Sequence, residues 1–300
     1  MSLKQLINTA KDKDKFKSIS DYIVFCQRYL DFIQKGLQAV IVSQNETNYC
    51  FFQYRKEGNY NITRPINSDL MYQTASSSVI NKKFIELLRN AKDIPNDDQN
   101  SRTIIRNTIY TIQQSIGATL DALPAGQSNI ARKINGDLFE RLIKLLILEI
   151  GIDCQSQVIN IPVTVDGIEQ FKMSYQHDLL LFQEKNLKVI GSVKTSSKDR
   201  IDKIFTDKFL YSRLTETNTP HIAIFLNDVQ RKNTKSKNRY GINSTFLPGH
   251  FKGYTVKLTP LDGVYYCDIR PNMKTDALLR QYIKTIDYFF CNDVHDFMSK

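Results

Sequence analysis

The sequence contains no tryptophan, only four histidines, and five cysteines that form no CxxC pair. An odd number of widely separated cysteines argues against a zinc ribbon or a disulfide framework and favours a reducing compartment. No GxSxG elbow, HExxH helix or glycine-rich phosphate loop is present. Serine hydrolases, metalloproteases and nucleotide-binding proteins that depend on those motifs are therefore excluded.

Long apolar runs are also missing. The richest one, residues 145–152, is interrupted by Glu149 and is too short to span a bilayer. The first residues, MSLKQLINTAKDKDKFK, lack the apolar core of a signal peptide. We therefore expect a cytoplasmic protein that has no membrane partner.

Basic residues outnumber acidic ones by 41 to 31, which gives a net charge of +10. An excess of this size usually indicates an anionic partner, most commonly nucleic acid. The plainer alternative is a basic enzyme without a polyanionic partner. The 300 residues, 41% of them hydrophobic, are enough for one large domain or two smaller ones.

The order of predicted elements is clearest in the middle of the chain. A helix over residues 138–150, capped by Asn135 or Asp137, precedes three strands, a second helix and a fourth strand. Further predicted elements include a strand over residues 254–258 and a final helix over residues 275–290. The class is α/β, with a mixed sheet flanked by helices. We expect a mainly helical section, residues 1–125, that contacts DNA or forms a dimer, and a core over residues 126–300.

The second and third strands of this order form a hairpin with acidic and basic residues at its open end. The segment reads HDLLLF, a polar link QEKN, and LKVIGSVK. If the link pairs Phe182 with Leu187, Asp178 lies opposite Gly191, next to Ser192. Side chains alternate along a strand, so Ser192 and Lys194 point the same way.

An acid and a lysine at this position suit a metal-dependent phosphodiesterase. Hydrolysis of a phosphodiester needs a cation to absorb developing charge and a group that positions water. Asp178 would bind Mg²⁺, the carbonyl of Val193 would complete the metal shell, and Lys194 would activate water. The alternative is that Asp178 caps a strand and Lys194 is a solvated edge residue.

The helix before the hairpin carries NGDLFERL, with Gly136 and Glu140. Together with the element order, Asp178 and Lys194, it resembles the PD-(D/E)xK nuclease superfamily, which includes many type II restriction endonucleases. The resemblance covers residue 135 to about residue 226. It implies a restriction-endonuclease-like α-β-β-β-α-β core, an acid at the start of the second strand and an acid-x-Lys triplet on the third.

Two positions depart from that family pattern. His177 stands where proline is usual, and Ser192 stands where Asp or Glu is usual. Ser192 cannot supply a second carboxylate, and the resemblance to S-x-K variants gives it a supporting, water-holding role. Glu140 or Asp207 would replace the missing acid, with Glu140 slightly preferred. Each could instead be an exposed helix carboxylate.

Several basic residues are candidates for DNA contact. The segment RKNTKSKNR contains no acid, although it could equally be a solvated surface loop. A second basic group follows the third strand directly and suits contacts to phosphates. The candidates are Lys198, Arg200, Lys203, Arg231, Lys232, Lys235, Lys237 and Arg239.

These observations predict a Mg²⁺-dependent restriction endonuclease that hydrolyses double-stranded DNA at a short sequence. The resemblance implies 5′-phosphate products. A homodimer is expected because a two-fold symmetric enzyme can cut both strands of a palindrome. The alternatives are a repair or junction-resolving nuclease of the same fold and a DNA-binding protein without catalysis. An HD-type phosphohydrolase at His177 and Asp178 is disfavoured because that site needs several histidines on helices.

Overall fold

Helices and strands are interleaved along the chain in the computed structural model, which describes residues 1–56, 59–73, 77–198, 200–232 and 240–299. The longer helices are α1 (Leu3–Lys11), α2 (Ile19–Gly36), α3 (Ser77–Arg89), α4 (Gln99–Leu120), α5 (Ser128–Glu149), α6 (Ile201–Thr215) and α7 (Pro248–Lys257). Short helices near the C-terminus are α8 (Pro271–Thr275), α9 (Leu279–Tyr282), α10 (Ile286–Tyr288) and α11 (Val294–Ser299). Single 3₁₀ turns occur at Lys13–Lys15 and Ala91–Asp93, and a π-helical turn occurs at Phe289–Asp293.

The strands form three sheets within the described residues. The N-terminal sheet contains β1 (Leu37–Val42), β2 (Tyr49–Lys56), β3 (Asn59–Ile62) and β4 (Ile66–Asn67). The central sheet contains β5 (Asp153–Val165), β6 (Ile168–Gln183), β7 (Asn186–Ser196), β8 (His221–Asn227), β11 (Gly263–Tyr266) and β12 (Ile283–Thr285). A two-stranded ribbon joins β9 (Val229–Arg231) to β10 (Ile242–Ser244).

The central sheet has the predicted order of elements, α5-β5-β6-β7-α6-β8, and the predicted mixed character. Strands β5, β6 and β7 are antiparallel neighbours, whereas β7, β8, β11 and β12 are parallel neighbours. The spatial order is β12-β11-β8-β7-β6-β5. The predicted α/β class is therefore confirmed.

Helices cover both faces of this sheet. On one face, Leu138 and Phe139 of α5 pack in a core with Leu179 of β6 and Val193 of β7. On the other face, Phe205 of α6 packs with the aromatic side chains of β8, β11 and α7. Burial of apolar side chains on both faces fixes the position of α5 relative to the strands.

Helix α5 begins ten residues earlier than predicted, at Ser128, and Gln127 occupies the N-cap position. The predicted caps, Asn135 and Asp137, lie inside the helix. Asn135 is buried, and its side-chain oxygen and carbonyl oxygen both accept hydrogen bonds from Nε2 of Gln113 on α4, at 2.9 Å. Asparagine usually caps helices, but here a side chain from another helix satisfies its hydrogen-bonding groups within the helix.

Two further predictions near the C-terminus were wrong. Residues 254–258 belong largely to helix α7, which Pro248 opens at its first turn, a position where proline is favourable. The single helix predicted over residues 275–290 is broken into short helices around strand β12. That strand pairs with β11 in parallel, so sheet formation overrides helical propensity there.

The β6–β7 hairpin differs from its predicted register by one residue. Phe182 pairs with Leu187 as expected, and a two-residue turn with positive φ at Glu184 and Lys185 joins the strands. An irregularity between Leu181 and Phe182 then shifts the ladder, so that Gly191 lies opposite Leu179 rather than Asp178. Asp178 therefore lies one position beyond the last paired residues.

Candidate active site

The residues that sequence reasoning singled out first, Asp178 and Lys194, are in contact. Nζ of Lys194 lies 2.5 Å from Oδ2 of Asp178 and 3.0 Å from Oε1 of Glu140. The same Oδ2 of Asp178 accepts a hydrogen bond from the amide of Val193 at 2.8 Å. One ammonium group thus bridges two carboxylates from different elements of the fold.

A bulge in β6 gives Asp178 this orientation. The β5–β6 ladder shifts between Gln155 and Gln157, which places Asp178 and Leu179 together opposite Ser156. The hydroxyl of Ser156 donates to the carbonyl of Asp178 at 2.7 Å. Bulges interrupt side-chain alternation and redirect a side chain, as often occurs beside functional sites. Here Asp178 is directed to Lys194 and Glu140, whereas the preceding residue, His177, turns toward α6.

His177 is buried and packs among aromatic rings. It stacks on Tyr175 and meets Tyr211 of α6 edge-on, with ring centroids 5.8 and 6.2 Å apart. Burial lowers the pKa of His177, while the charges of Asp207 and Asp178 oppose the shift. This packing gives His177 a structural environment on the side of the sheet that α6 covers.

The contacts with Lys194 perturb the ionisation of the site. Burial and the neighbouring Asp178 raise the pKa of Glu140, although Lys194 opposes the shift. Burial lowers the pKa of Lys194, but the charges of Asp178 and Glu140 outweigh it, so the pKa of the ammonium is raised. Lys194 is therefore a cation at neutral pH.

Asp207 and Ser192 occupy different positions from this cluster. Asp207 lies on α6, where its carboxylate accepts a hydrogen bond from Lys203 at 2.5 Å. Ser192 is half-buried on β7, beside Ala223 of β8, and within the described residues its hydroxyl has no hydrogen bond. The geometry brings Glu140, and not Asp207, into contact with Lys194.

Glu140, Val193 and Lys194 line an open cleft of about 930 Å³ between α5 and the end of β7. The predicted DNA-contacting residues Lys198 and Arg200 line this cleft and are exposed. Lys203 is exposed on α6 and pairs with Asp207. Lys232 is exposed and follows β9, where its amide donates to the carbonyl of Gly241 at 2.8 Å.

Arg231 also lines the cleft, but its guanidinium is engaged by the N-terminal sheet. Its Nη2 donates to the carbonyls of Ile62 and Thr63 at 2.7 and 2.9 Å, and the group lies over the ring of Phe51. The remaining candidates, Lys235, Lys237 and Arg239, lie outside the described residues.

Three basic residues of the cleft escaped sequence reasoning. Arg64 lines it but forms a two-pronged ion pair with Asp121, at 2.9 and 2.8 Å. Arg132 and Lys133 line it from the first turns of α5 and are exposed. Arg132, Gly136 and Glu140 are spaced four residues apart, so Arg132 would have been identified had the helix been predicted to begin at residue 128.

The oxygen atoms of the cluster fit a hard divalent cation. Oδ1 of Asp178 and Oε2 of Glu140 have no hydrogen-bond partner within the described part of the chain. Carboxylate and carbonyl oxygens are the ligands that Mg²⁺ prefers. The described residues contain no group of three or more His, Cys, Asp or Glu side chains arranged to hold a metal ion. Any metal ion here would rely on two carboxylates and main-chain oxygens.

The whole chain is similar to a solved structure. It superposes on the crystal structure of the Type IIP restriction endonuclease Kpn2I with a TM-score of 0.69 and 17% sequence identity, covering 99% of this chain and 97% of that one. This likeness shows that the two proteins share a fold. A complex of restriction endonuclease PspGI with substrate DNA matches with a TM-score of 0.43 and 11% identity, over 75% of this chain and 93% of that chain. No family model and no curated protein sequence matches the chain.

None of the helices in the described ranges combines the length and the hydropathy that a bilayer crossing requires.

Proposed function

We propose that this chain is a Mg²⁺-dependent restriction endonuclease that cuts double-stranded DNA at a specific short sequence and leaves 5′-phosphates. The observation that carries the proposal is the ammonium of Lys194 held between the carboxylates of Asp178 and Glu140 inside a basic cleft. The fold shared with a Type IIP restriction endonuclease adds support at the level of architecture.

Asp178 and Glu140 are the side chains that would hold the metal ion, together with the carbonyl of Val193. When bound, Mg²⁺ supplies a Lewis acid that offsets the negative charge of the phosphate group. The amide of Val193 keeps Asp178 in place because it donates to the oxygen that also meets Lys194. The other carboxylate oxygen of Asp178, Oδ1, accepts no hydrogen bond within the described residues and is therefore available to a cation.

Lys194 would act as a cation and hydrogen-bond donor rather than as a base. Because its pKa is raised, it keeps its proton at neutral pH. An ammonium beside the scissile phosphate can orient the attacking water and stabilise charge that develops on the phosphate oxygens. Ser192 would hold water near this position, as the S-x-K resemblance implies.

The exposed cations around the cluster would hold the DNA strand. Lys198 and Arg200 follow β7 directly, and within the described residues neither forms an ion pair. Contacts from such residues to phosphates position a duplex without reading its sequence. The net charge of +10 would favour association with DNA over a long range.

Cutting both strands of a palindrome would require two sites related by a two-fold axis, so we propose a homodimer. Light scattering after size exclusion should give twice the 34.7 kDa of one chain. A monomeric mass, both free and on DNA, would contradict this part of the proposal.

The decisive experiment is incubation of the protein with phage DNA and Mg²⁺, beside Asp178→Asn and Lys194→Ala proteins. Matched controls are Asp153→Asn and Lys274→Ala, which change exposed residues outside the cleft. We expect discrete fragments with 5′-phosphate ends from the parent and both controls, and intact DNA from the two site variants.

Other results would point elsewhere. Intact DNA from the parent with Mg²⁺ and with Mn²⁺ would overturn the endonuclease proposal. Cleavage confined to branched or damaged DNA would indicate a repair or junction-resolving enzyme. Tight binding without cleavage would indicate a DNA-binding protein that lacks catalysis.

A further inference from the structure

Helix α5 directs a regular stripe of residues into the cleft. Ser128, Arg132, Gly136 and Glu140 are spaced four apart, and all four line the cleft that contains Lys194. Residues four apart lie on the same face of a helix, one turn and roughly 6 Å from each other. Gly136 therefore lies one turn before the carboxylate of Glu140 and one turn after the guanidinium of Arg132.

The rotation of α5 about its axis is fixed by its neighbours. Asn135 is held by two hydrogen bonds from Gln113, and the hydroxyl of Tyr22 donates to the carbonyl of Leu138 at 2.9 Å. Leu138 and Phe139 are fully buried in the core. Because those residues face α2, α4 and the sheet, Gly136 must face the cleft.

Packing gives no reason for glycine at position 136. A Cβ atom built there would meet nothing within 4 Å. Glycine in the interior of a helix is markedly less favourable than alanine because it loses more backbone freedom on folding. The helix thus contains a destabilising glycine at position 136. Because this residue has no side chain, it leaves an open recess between the charged side chains of Arg132 and Glu140.

Unengaged positive charge surrounds this recess. Arg132 and Lys133 are exposed, and neither forms an ion pair with any residue that the structure describes. Within the described residues, the side chain of Arg132 makes one long hydrogen bond, of 3.4 Å, to Oδ1 of Asn129. Lys198 and Arg200, which form no ion pair within the described residues, also line the cleft.

We propose that the recess at Gly136 receives the sugar-phosphate backbone of the DNA strand that is cut, and that Arg132 and Lys133 hold a neighbouring phosphate. Glycine lets a ligand approach the helix backbone more closely than any other residue. The inference rests on the proposed endonuclease function and adds a strand-positioning surface to the same site. This surface determines where the strand lies relative to Lys194, without reading its bases.

The test compares Gly136→Ala with a matched variant, Gly253→Ala. Gly253 lies in the interior of α7, is exposed, has no atom within 4 Å of an added Cβ, and does not line the cleft. Both changes should raise Tm by about 2 °C because alanine favours the helix. Gly136→Ala should lower kcat/KM on DNA at least tenfold, mainly through KM, whereas Gly253→Ala should cut like the parent.

A variant with a larger side chain and two charge variants sharpen the test. Gly136→Leu should bind and cut DNA less well than Gly136→Ala. Arg132→Gln and Lys133→Gln, each in the Asp178→Asn background, should each lower the slope of log K against log salt by about 0.9. These binding measurements need no metal and no cleavage.

Each outcome decides the inference. A Gly136→Ala protein that is more stable yet binds and cuts DNA like the parent would overturn it, while the endonuclease function would stand. A less stable Gly136→Ala protein would show that the glycine serves packing and would overturn it too. A parent protein that neither binds nor cuts DNA would overturn both the function and the inference.

Discussion

The ammonium nitrogen of Lys194 lies 3.0 Å from Oε1 of Glu140, although the two residues are 54 positions apart in the chain. The contact joins the end of strand β7 to the middle of helix α5. It brings a second carboxylate to a strand that carries Ser192 at the position where the family resemblance predicts an acid. The raised pKa of Glu140 reflects its burial and its closeness to Asp178.

The first prediction concerns the second carboxylate. Glu140→Gln should lower the rate of DNA cleavage by at least about 100-fold, since it removes one of the two carboxylates around Lys194. Asp207→Asn should cause a smaller loss because Asp207 pairs with Lys203 on α6. Single-turnover cleavage rates measure both effects. A larger loss from Asp207→Asn would transfer the role to Asp207.

The second prediction concerns salt dependence. Lys198→Gln and Arg200→Gln should each reduce the slope of log K against log salt by about 0.9, because each removes one phosphate contact. Lys274→Gln, an exposed change on α8 outside the cleft, is the control and should leave the slope unchanged. Fluorescence anisotropy with labelled duplex measures it, and equal slopes in all four proteins would contradict the assignment.

The third prediction concerns His221, which is buried at the start of β8 against Tyr211. Burial lowers its pKa from 6.5 to about 4. The unfolded chain therefore takes up a proton below pH 6.5 while the folded chain does not, and stability falls as pH drops from 6.5 to 4. The loss attributable to this residue is about 3 kcal/mol.

His221→Phe keeps the aromatic packing and removes this titration. Its free energy of unfolding should depend less steeply on pH between 7 and 4 than that of the parent. The variant also loses a hydrogen bond to the carbonyl of Thr219, which lowers stability at pH 7 by about 1 kcal/mol. Urea denaturation across that pH range gives the answer, and parallel curves for both proteins would refute the prediction.

The fourth prediction concerns a buried contact between the N-terminal sheet and the C-terminal part of the central sheet. The hydroxyl of Tyr49 donates to Oδ2 of Asp268 at 2.8 Å, and the amide of Asn67 donates to Oδ1 at 2.9 Å. Tyr49→Phe would leave a buried carboxyl oxygen without this donor. The free energy of unfolding should fall by about 2 kcal/mol.

Tyr282→Phe is the matched control for that measurement. The hydroxyl of Tyr282 has no hydrogen-bond partner within the described residues, so its removal should change stability by less than about 0.5 kcal/mol. Chemical denaturation of both variants provides the comparison. Equal stability of Tyr49→Phe and the parent would show that Asp268 is protonated or otherwise satisfied.

The sequence predicted elements well where one local signal dominated. Two apolar runs joined by the polar link at residues 183–186 predicted β6 and β7. Prediction from sequence failed where contacts with distant residues determine the local structure. Gln113 holds Asn135 inside α5, and β11 pairs with residues that would otherwise continue a helix. The one-residue error in the hairpin arose because a local irregularity has no signature in hydrophobic periodicity.

The sequence by itself determined the residues that carry charge, the order of helices and strands from α5 to β8, and the resemblance that singles out Asp178 and Lys194. Only the tertiary structure decided which acid meets Lys194, how the bulge in β6 directs Asp178, and which cations share the cleft. Local propensity and periodicity act between residues a few positions apart. The site is instead assembled by packing between elements far apart in the sequence, since the burial of apolar faces fixes α5 against the sheet and brings Glu140 to the lysine.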